Sequence, residues 1–309
     1  QEWRLAVKLG PPTGSVNFDL FDFERWQFVK RIHGRGYVRT DQKPEFIGLD
    51  GEFVDRVRFH LRENLRRRVP ASELGTFLAL ALGDTSLLDA NRWEVLNSTG
   101  TTHLLIVSGL HTGLIATLVF NLLRLIGVPL SILIGATIGI TGCYALIAGW
   151  GLPVQRALIM TTTVLLCIGA ARQIKPGAQV LVALVAVLGF DPLASLSNGF
   201  WLSFGAVLAL LYGLHGRTGM TGGVAEWIQS TTKAQWVVFV ALMPGLAHLM
   251  GQLPLGSLLT NLIAIPWVGL LLVPVLFLGL VLLYVLPSIG AFILQIVSWQ
   301  VFLLWQFLD

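Results

Sequence analysis

The chain has 309 residues, of which 54% are hydrophobic and 12% charged, with a mean hydropathy of +0.73. About a quarter of the residues of a soluble domain are charged, so this composition excludes one and specifies a membrane protein. The formal net charge of +4 is unevenly spread: Lys and Arg crowd the region up to Arg92, only Arg124, Arg156, Arg172, Lys175, Arg217 and Lys233 follow, and residues 234–308 contain no Lys, Arg, Asp or Glu.

Residues 1–53 read as β-structure with turns. Trp3, Leu5, Val7 and Leu9 alternate with Arg4, Ala6 and Lys8, which predicts one strand that Gly-Pro-Pro stops. FDLFDFERWQFVKRI places Phe21, Trp26, Phe28, Val29 and Ile32 as a short helix or folded crossover would, and further strands are expected at GYVR (36–39) and from Phe46 to Leu49. Two or three strands cannot close a barrel, so the domain is expected to be incomplete or completed from elsewhere. QEWRLAVKLG has no basic region followed by an apolar one and reads as the middle of a strand, which predicts a fragment.

Residues 54–98 are expected to form amphipathic, interfacial helices. In VDRVRFHLRENLRRRV, Val54, Val57, Leu61 and Leu65 share one face, while Arg58, Arg62, Arg66, Arg67 and Arg68 occupy the others. That pattern suits a membrane surface or a nucleic-acid backbone, and equally a solvated face over a small core. From Glu73 to Leu82 a second helix, LGTFLALAL, is too short to span a bilayer, so an interfacial or partly inserted position is expected.

Residues 99–309 form the membrane part. Spans are expected at 102–127, 129–149, 154–171, 177–190, 198–214 and 235–250, with two or three more beyond 255, where Pro266, Pro274 and Pro287 interrupt the apolar run. The predicted fold is a polytopic all-α membrane protein with about 8–10 spans or half-spans behind a small β domain. Cys143 and Cys167 lie in apolar helices and read as buried free thiols. If the spans alternate, Arg124, Arg172, Lys175, Arg217 and Lys233 fall on one face, against Arg156 and Asp191 on the other. The positive-inside rule makes the first face cytoplasmic, so residues 1–95 are expected outside the cytoplasm.

The stretch NSTGTTHLLIVSGLHTGL (97–114) carries His103, Ser108 and His111 into the first expected span. Read as one helix, it sets His111 roughly 12 Å deeper than His103 and puts Ser108 and His111 on one face. No Cys, Asp or Glu stands nearby as a third zinc ligand, and Ile106-Val107-Ser108-Gly109 lacks the first glycine of the G-x-S-G motif of intramembrane serine proteases. Two readings stay open: the polar groups face a wet path, or they satisfy neighbouring helices within a packed interior. The same alternatives hold for Arg156 in GLPVQRALIM, and for Asn198 and Ser203 in NGFWLSF, a potential helix cap and a packing hydroxyl.

HLLIVSGLHTGL closely resembles the H-L-L-x-I-S-G-L-H-x-G-L signature of the competence domain of ComEC-type DNA uptake channels, with Val107 where the signature most often has Ile. LALALGDTSLLD (78–89), GLPVQRALIM (151–160) and DPLASLSNGFWLSFGAVLAL (191–210) resemble further blocks of that family, and FDFERW with GYVR is similar to the end of its OB-like domain. The resemblance implies a channel carrying single-stranded transforming DNA across the bacterial cytoplasmic membrane, working with an extracytoplasmic DNA receptor and a cytoplasmic ATPase or helicase motor. It implies no cofactor. Family members commonly begin with one or two leading spans and end in a metallo-β-lactamase-like nuclease domain; this chain has no H-x-H-x-D-H signature, so a transport role without strand degradation is expected. His103, Ser108, His111, Arg156, Asn198 and Ser203 are the candidate path residues, and the arginines from Arg58 to Arg68 the candidate DNA or lipid surface. Phe21, Phe23 and Trp26 are read as core aromatics first and base-stacking platforms second. A small-solute permease or a membrane-embedded hydrolase is the alternative.

Overall fold

The computed structural model describes residues 2–14, 22–48, 52–170, 174–214, 223–250 and 256–309. Phe21, Arg172 and Arg217, named above, lie outside the described residues. The chain begins with β1 (Glu2–Arg4), β2 (Val7–Gly10), α1 (Phe23–Val29), β3 (Arg35–Val38) and β4 (Glu45–Gly48). The alternating run 3–9 is not one strand. It breaks at Leu5 and Ala6, and its halves take different antiparallel partners: β1 pairs with β4, and β2 with β3. Trp3 stands opposite Phe46 with ring centroids 5.1 Å apart. Two separate two-stranded ribbons result among the described residues, and they close no barrel. Phe23 and Trp26 stack on each other at 5.5 Å, under the Arg35 guanidinium.

Helices α2 (Phe53–Arg68), α3 (Ala71–Leu82), α4 (Ala90–Thr99) and α5 (Thr102–Leu105) lead into α6 (Gly109–Leu125), α7 (Leu130–Ile147), α8 (Leu152–Gly169) and α9 (Pro176–Phe190). A 3-10 turn (Pro192–Leu196) precedes α10 (Asn198–Gly213), followed by α11 (Val224–Met250), α12 (Ser257–Pro266), α13 (Val273–Val285) and α14 (Pro287–Leu308). Among the described residues α7, α8, α14 and the 29-residue run Ser257–Val285 are long and apolar enough to cross a membrane, while α3, α6, α9 and α10 are shorter apolar helices. The protein is a polytopic all-α membrane protein with a small β portion at its start.

Two expectations about that bundle change. The span expected at 102–127 is two helices, because the chain leaves helical geometry between Leu105 and Gly109. Conversely, Pro266 and Pro274 do not cut the run 257–285: a π-helical turn, Trp267–Leu272, lies between them and widens the helix there. Pro287 behaves as expected, opening α14 within its first turn, where its missing N–H costs nothing.

The principal core joins α3, α13 and α14. Leu74 through Leu82 are all buried, so α3, expected at the interface or partly inserted, is enclosed by protein. A helix apolar on every face has no polar side to give to water. Leu276, Leu280 and Leu283 of α13 meet Leu294, Val297, Val301 and Leu304 of α14 in the same cluster. One polar knot is built into it: Trp305 Nε1–H donates to Thr76 Oγ1 at 3.0 Å, as does Arg92 Nη1 at 3.2 Å, and the Arg92 guanidinium lies over the Trp305 ring.

The N-terminal part docks on one end of the bundle. Arg58 donates to the Ile147 carbonyl at the end of α7, Asn64 Nδ2 to the Tyr284 hydroxyl at 3.1 Å, and Leu65 is fully buried. Arg31 pairs with Asp191 at 3.0 Å and Arg25 donates to the Leu196 carbonyl, which brings α1 onto the turn before α10. Arg62 pairs at 3.0 Å with Asp84, which follows α3 outside the spanning helices. Burial alone would raise the Asp84 pKa, but hydrogen bonds from Ser86 and the charges of Arg62 and Arg58 outweigh it and hold the carboxyl below the ordinary 3.8. A depressed carboxylate stabilises the fold above its unfolded pKa, and that contribution disappears as pH falls through the folded value. Asp84→Asn is therefore expected to melt below wild type at neutral pH. The gap should close as the pH drops past 3.8, which paired melting curves across that range check.

Candidate functional site

The site is the break between α5 and α6. Each amide in it has a specific acceptor: Ile106 N–H donates to the Thr102 carbonyl, Val107 N–H to the Ala79 carbonyl of α3, and Ser108 N–H to His111 Nδ1, each at 3.3 Å. Ala79 is among the last four residues of α3, whose carbonyls have no acceptor role left inside their own helix. The break is thus held by two helix ends, one supplying a carbonyl and one an imidazole. Ser108 is the N-cap of α6, in extended backbone at φ −132 and ψ 176, and His111 stands at N3, where Glu or Gln usually reaches back to the cap amide. Ser108 and His111 are therefore cap partners at a helix start, and they do not share the face of a continuous span.

Exposure separates the three polar residues. His103 is exposed, Ser108 half-buried, and His111 entirely buried. Among the described residues Ser108 Oγ and His111 Nε2 have no hydrogen-bond partner, and neither do Thr141 Oγ1 and Tyr144 Oη on α7. Val107 packs in one cluster with Tyr144, Ala145, Ala148 and Val154, with Ile115 against it, and His111, one turn before Ile115 on α6, is itself fully buried. The geometry does not prepare a serine nucleophile: Nδ1, the ring nitrogen nearer the serine, accepts from its amide, and Oγ is not bonded to it. Among the described residues no three His, Cys, Asp or Glu side chains come together.

The other predicted residues lie apart from this break. Arg156, in the second turn of α8, is 7% exposed, and its Nη1 reaches Ser197 Oγ at 3.4 Å. The cap of α10 is Ser197, whose Oγ accepts from Phe200 N–H at 3.3 Å; Asn198, expected there, is the exposed first residue of the helix. Ser203 is half-buried one turn further on. Nor do the five arginines of α2 make one free surface. Arg58 and Arg62 are committed to the Ile147 carbonyl and Asp84, Arg67 pairs with Glu63, Arg68 bonds Asn64, and Arg66 is exposed.

A cavity of about 420 Å³ opens between α6, α8, α9 and α10, lined mainly by apolar groups such as Ala116, Phe120, Met160, Leu165 and Val180. None of the six candidate path residues lines it. Two contributors were missed from sequence. Ala79 acts only through its carbonyl, which no side-chain pattern reveals. Ser197 did carry a signal, a hydroxyl residue immediately before an apolar helical run.

A family model described as "Competence protein" matches residues 80–309. The chain is 31% identical over 306 residues to "Competence protein ComA" of Neisseria gonorrhoeae, covering 95% of this chain and 43% of that protein. It is 29% identical to "Recombination protein 2" of Haemophilus influenzae, covering 88% of this chain and 36% of the relative, and 22% identical to "ComE operon protein 3" of Bacillus subtilis, covering 93% and 36%. The chain thus spans less than half the length of these relatives. No solved structure matches it.

Proposed function

Because the chain belongs to the competence protein family, we propose that it is the membrane-spanning part of a channel that carries single-stranded DNA across the bacterial cytoplasmic membrane during natural transformation. The observation that carries this reading is the interrupted helix at 105–109 with His103 exposed beside it. Non-helical backbone at membrane depth persists where protein buries it or where it borders water, and the buried acceptors behind the break with an exposed imidazole in front of it support a wet side there. His103 belongs to the path in this reading, while Ser108 and His111 fix the break from the dry side.

Charge placement supports the orientation. Arg124 ends α6 and Lys175 caps α9, at the end of the bundle opposite the α7–α8 and α9–α10 connections where α1 and α2 dock. With the first end cytoplasmic, residues 1–95 lie on the extracytoplasmic side, α3 packed into the bundle there, and the β portion, as an OB-like module, and the exposed Arg66 to Arg68 meet incoming DNA. A polyanion moves best along a path with few fixed acids and few strong cation sites, since each neutralised phosphate adds to a salt-dependent affinity. After Glu94 the chain holds only Asp191, Glu226 and Asp309 as acids. An extracytoplasmic receptor would deliver the strand, and a cytoplasmic ATPase or helicase would draw it in.

A small-solute permease also tolerates a broken helix, but a basic helix seated over the bundle end favours a polyanionic cargo. Labelled duplex DNA given to competent cells tests the reading. Deletion of the gene is expected to leave DNA bound outside while no labelled strand reaches the cytoplasm, and unchanged import would contradict it.

A further inference from the structure

Among the described residues Arg156 is a buried cation with no counter-ion. Its residue is 7% exposed, and no hydrogen-bond partner for Nε stands among those residues. Among the described residues no carboxylate lies within ion-pair distance; Asp191, in the turn leading to α10, is taken by Arg31. The guanidinium points at the start of α10, a 16-residue helix. Its Nη2 lies 3.2 Å from where a Cβ on Gly199 would sit, and Nη1 is 3.4 Å from the Ser197 cap oxygen. That oxygen already accepts from Phe200 N–H and donates to the Ala194 carbonyl.

A helix N-terminus carries partial positive charge and unsatisfied amides, so a guanidinium set against it is repelled unless an anion joins them. Here the two positive groups converge in a buried place where, among the described residues, they share only the neutral Ser197 Oγ as acceptor and no anion. We infer that the junction of α8 and α10 is a seat for one phosphodiester, held by the Arg156 fork and the first turn of α10, beside the Ser197 hydroxyl whose hydrogen stays on the Ala194 carbonyl. Phosphate matches this donor set: the planar fork presents paired N–H groups, and helix starts bind tetrahedral oxyanions through backbone amides. Gly199 is part of the seat because a side chain there would meet the guanidinium. The phosphodiester belongs either to a DNA strand or to a phospholipid headgroup, since the junction lies at the bundle end over which α1 and α2 dock. The DNA source rests on the channel reading above; the seat itself does not.

The intact protein, purified in maltoside and stripped of phospholipid, is titrated with a thymidine dinucleotide, its uncharged methylphosphonate analogue, phosphatidylglycerol and a phosphate-free galactolipid. Tryptophan fluorescence and melting temperature are followed. Wild type should respond saturably to the phosphodiesters and not to the uncharged analogue or galactolipid. Arg156→Gln should weaken that response by about tenfold or more. Gly199→Ala keeps the charge and should weaken it as well, which covers the case in which the arginine variant fails to fold. A response to the dinucleotide assigns the seat to a strand; a response to phosphatidylglycerol alone assigns it to lipid. No phosphodiester-specific response in wild type, or equal responses in wild type and both variants, overturns the seat. If the seat is present but cells lacking the protein import DNA normally, the channel reading fails instead.

Discussion

Cells carrying His111→Leu are expected to bind DNA at their surface as wild type does and to import it at least about tenfold less well, because losing a helix-start acceptor of this kind costs roughly 1–2 kcal/mol. The imidazole is fully buried, and its Nδ1 is the acceptor for Ser108 N–H at 3.3 Å. Leucine fills the space and leaves that amide unsatisfied, so the start of α6 shifts and the neighbouring His103 moves with it. His111→Gln separates this cause from direct contact with DNA. Glutamine at N3 reaches back to the cap amide as the imidazole does, so it should restore most of the import. If only histidine works, the ring acts by its own chemistry, and its role as a positioning residue is wrong.

Gly290→Ala is expected to destabilise the fold by about 3 kcal/mol, through overpacking that the surroundings cannot relieve. A Cβ there would lie 2.4 Å from Leu283 N and 2.5 Å from its Cα, both backbone atoms at the end of α13. Neither can turn aside as a side chain would. The contact sits where α13 and α14 close on each other, next to Leu283 and Leu294 in the principal core. Thermal unfolding in detergent should fall by roughly 5–10 °C. Gly139→Ala, whose Cβ meets nothing within 4 Å, is the matched control and should melt no lower than wild type.

The helical part of the fold was legible because burial in lipid and burial in protein ask for the same apolar residues. Hydropathy therefore located α7, α8 and the apolar tail, and the all-round apolar LGTFLALAL could have been read as an enclosed helix. It could not locate the break at 105–109, since Ile106 and Val107 are as apolar as the residues on either side. What ends the helix there is the cap pair Ser108 and His111, with the Ala79 carbonyl as acceptor. The cap was visible as a serine three residues ahead of a side chain able to accept, but imidazole is an unusual partner at that position. Prolines misled in the opposite direction: Pro266 and Pro274 sit in a helix that accommodates them with one wider turn.

The β portion and the polar sites depended on partners far along the chain. Nothing within the run 3–9 says that its halves pair with residues near 46 and 37. Arg58 and Arg62 looked like part of one basic face until the Ile147 carbonyl and Asp84 engaged them. Arg156 looked like a snorkelling arginine, yet its partner Ser197 lies 41 positions away and folds it inward.

The claim on which the functional account depends is that the break in the α5–α6 segment borders water wide enough for a nucleotide strand. The direct measurement places a cysteine at position 103, in a protein whose Cys143 and Cys167 are replaced by alanine, and applies a membrane-impermeant thiol reagent with and without a DNA strand stalled in transit. His103→Cys is expected to be labelled in the resting protein and protected while the strand is in place. A thiol that stays unlabelled, or is labelled equally fast with the strand stalled, would contradict it.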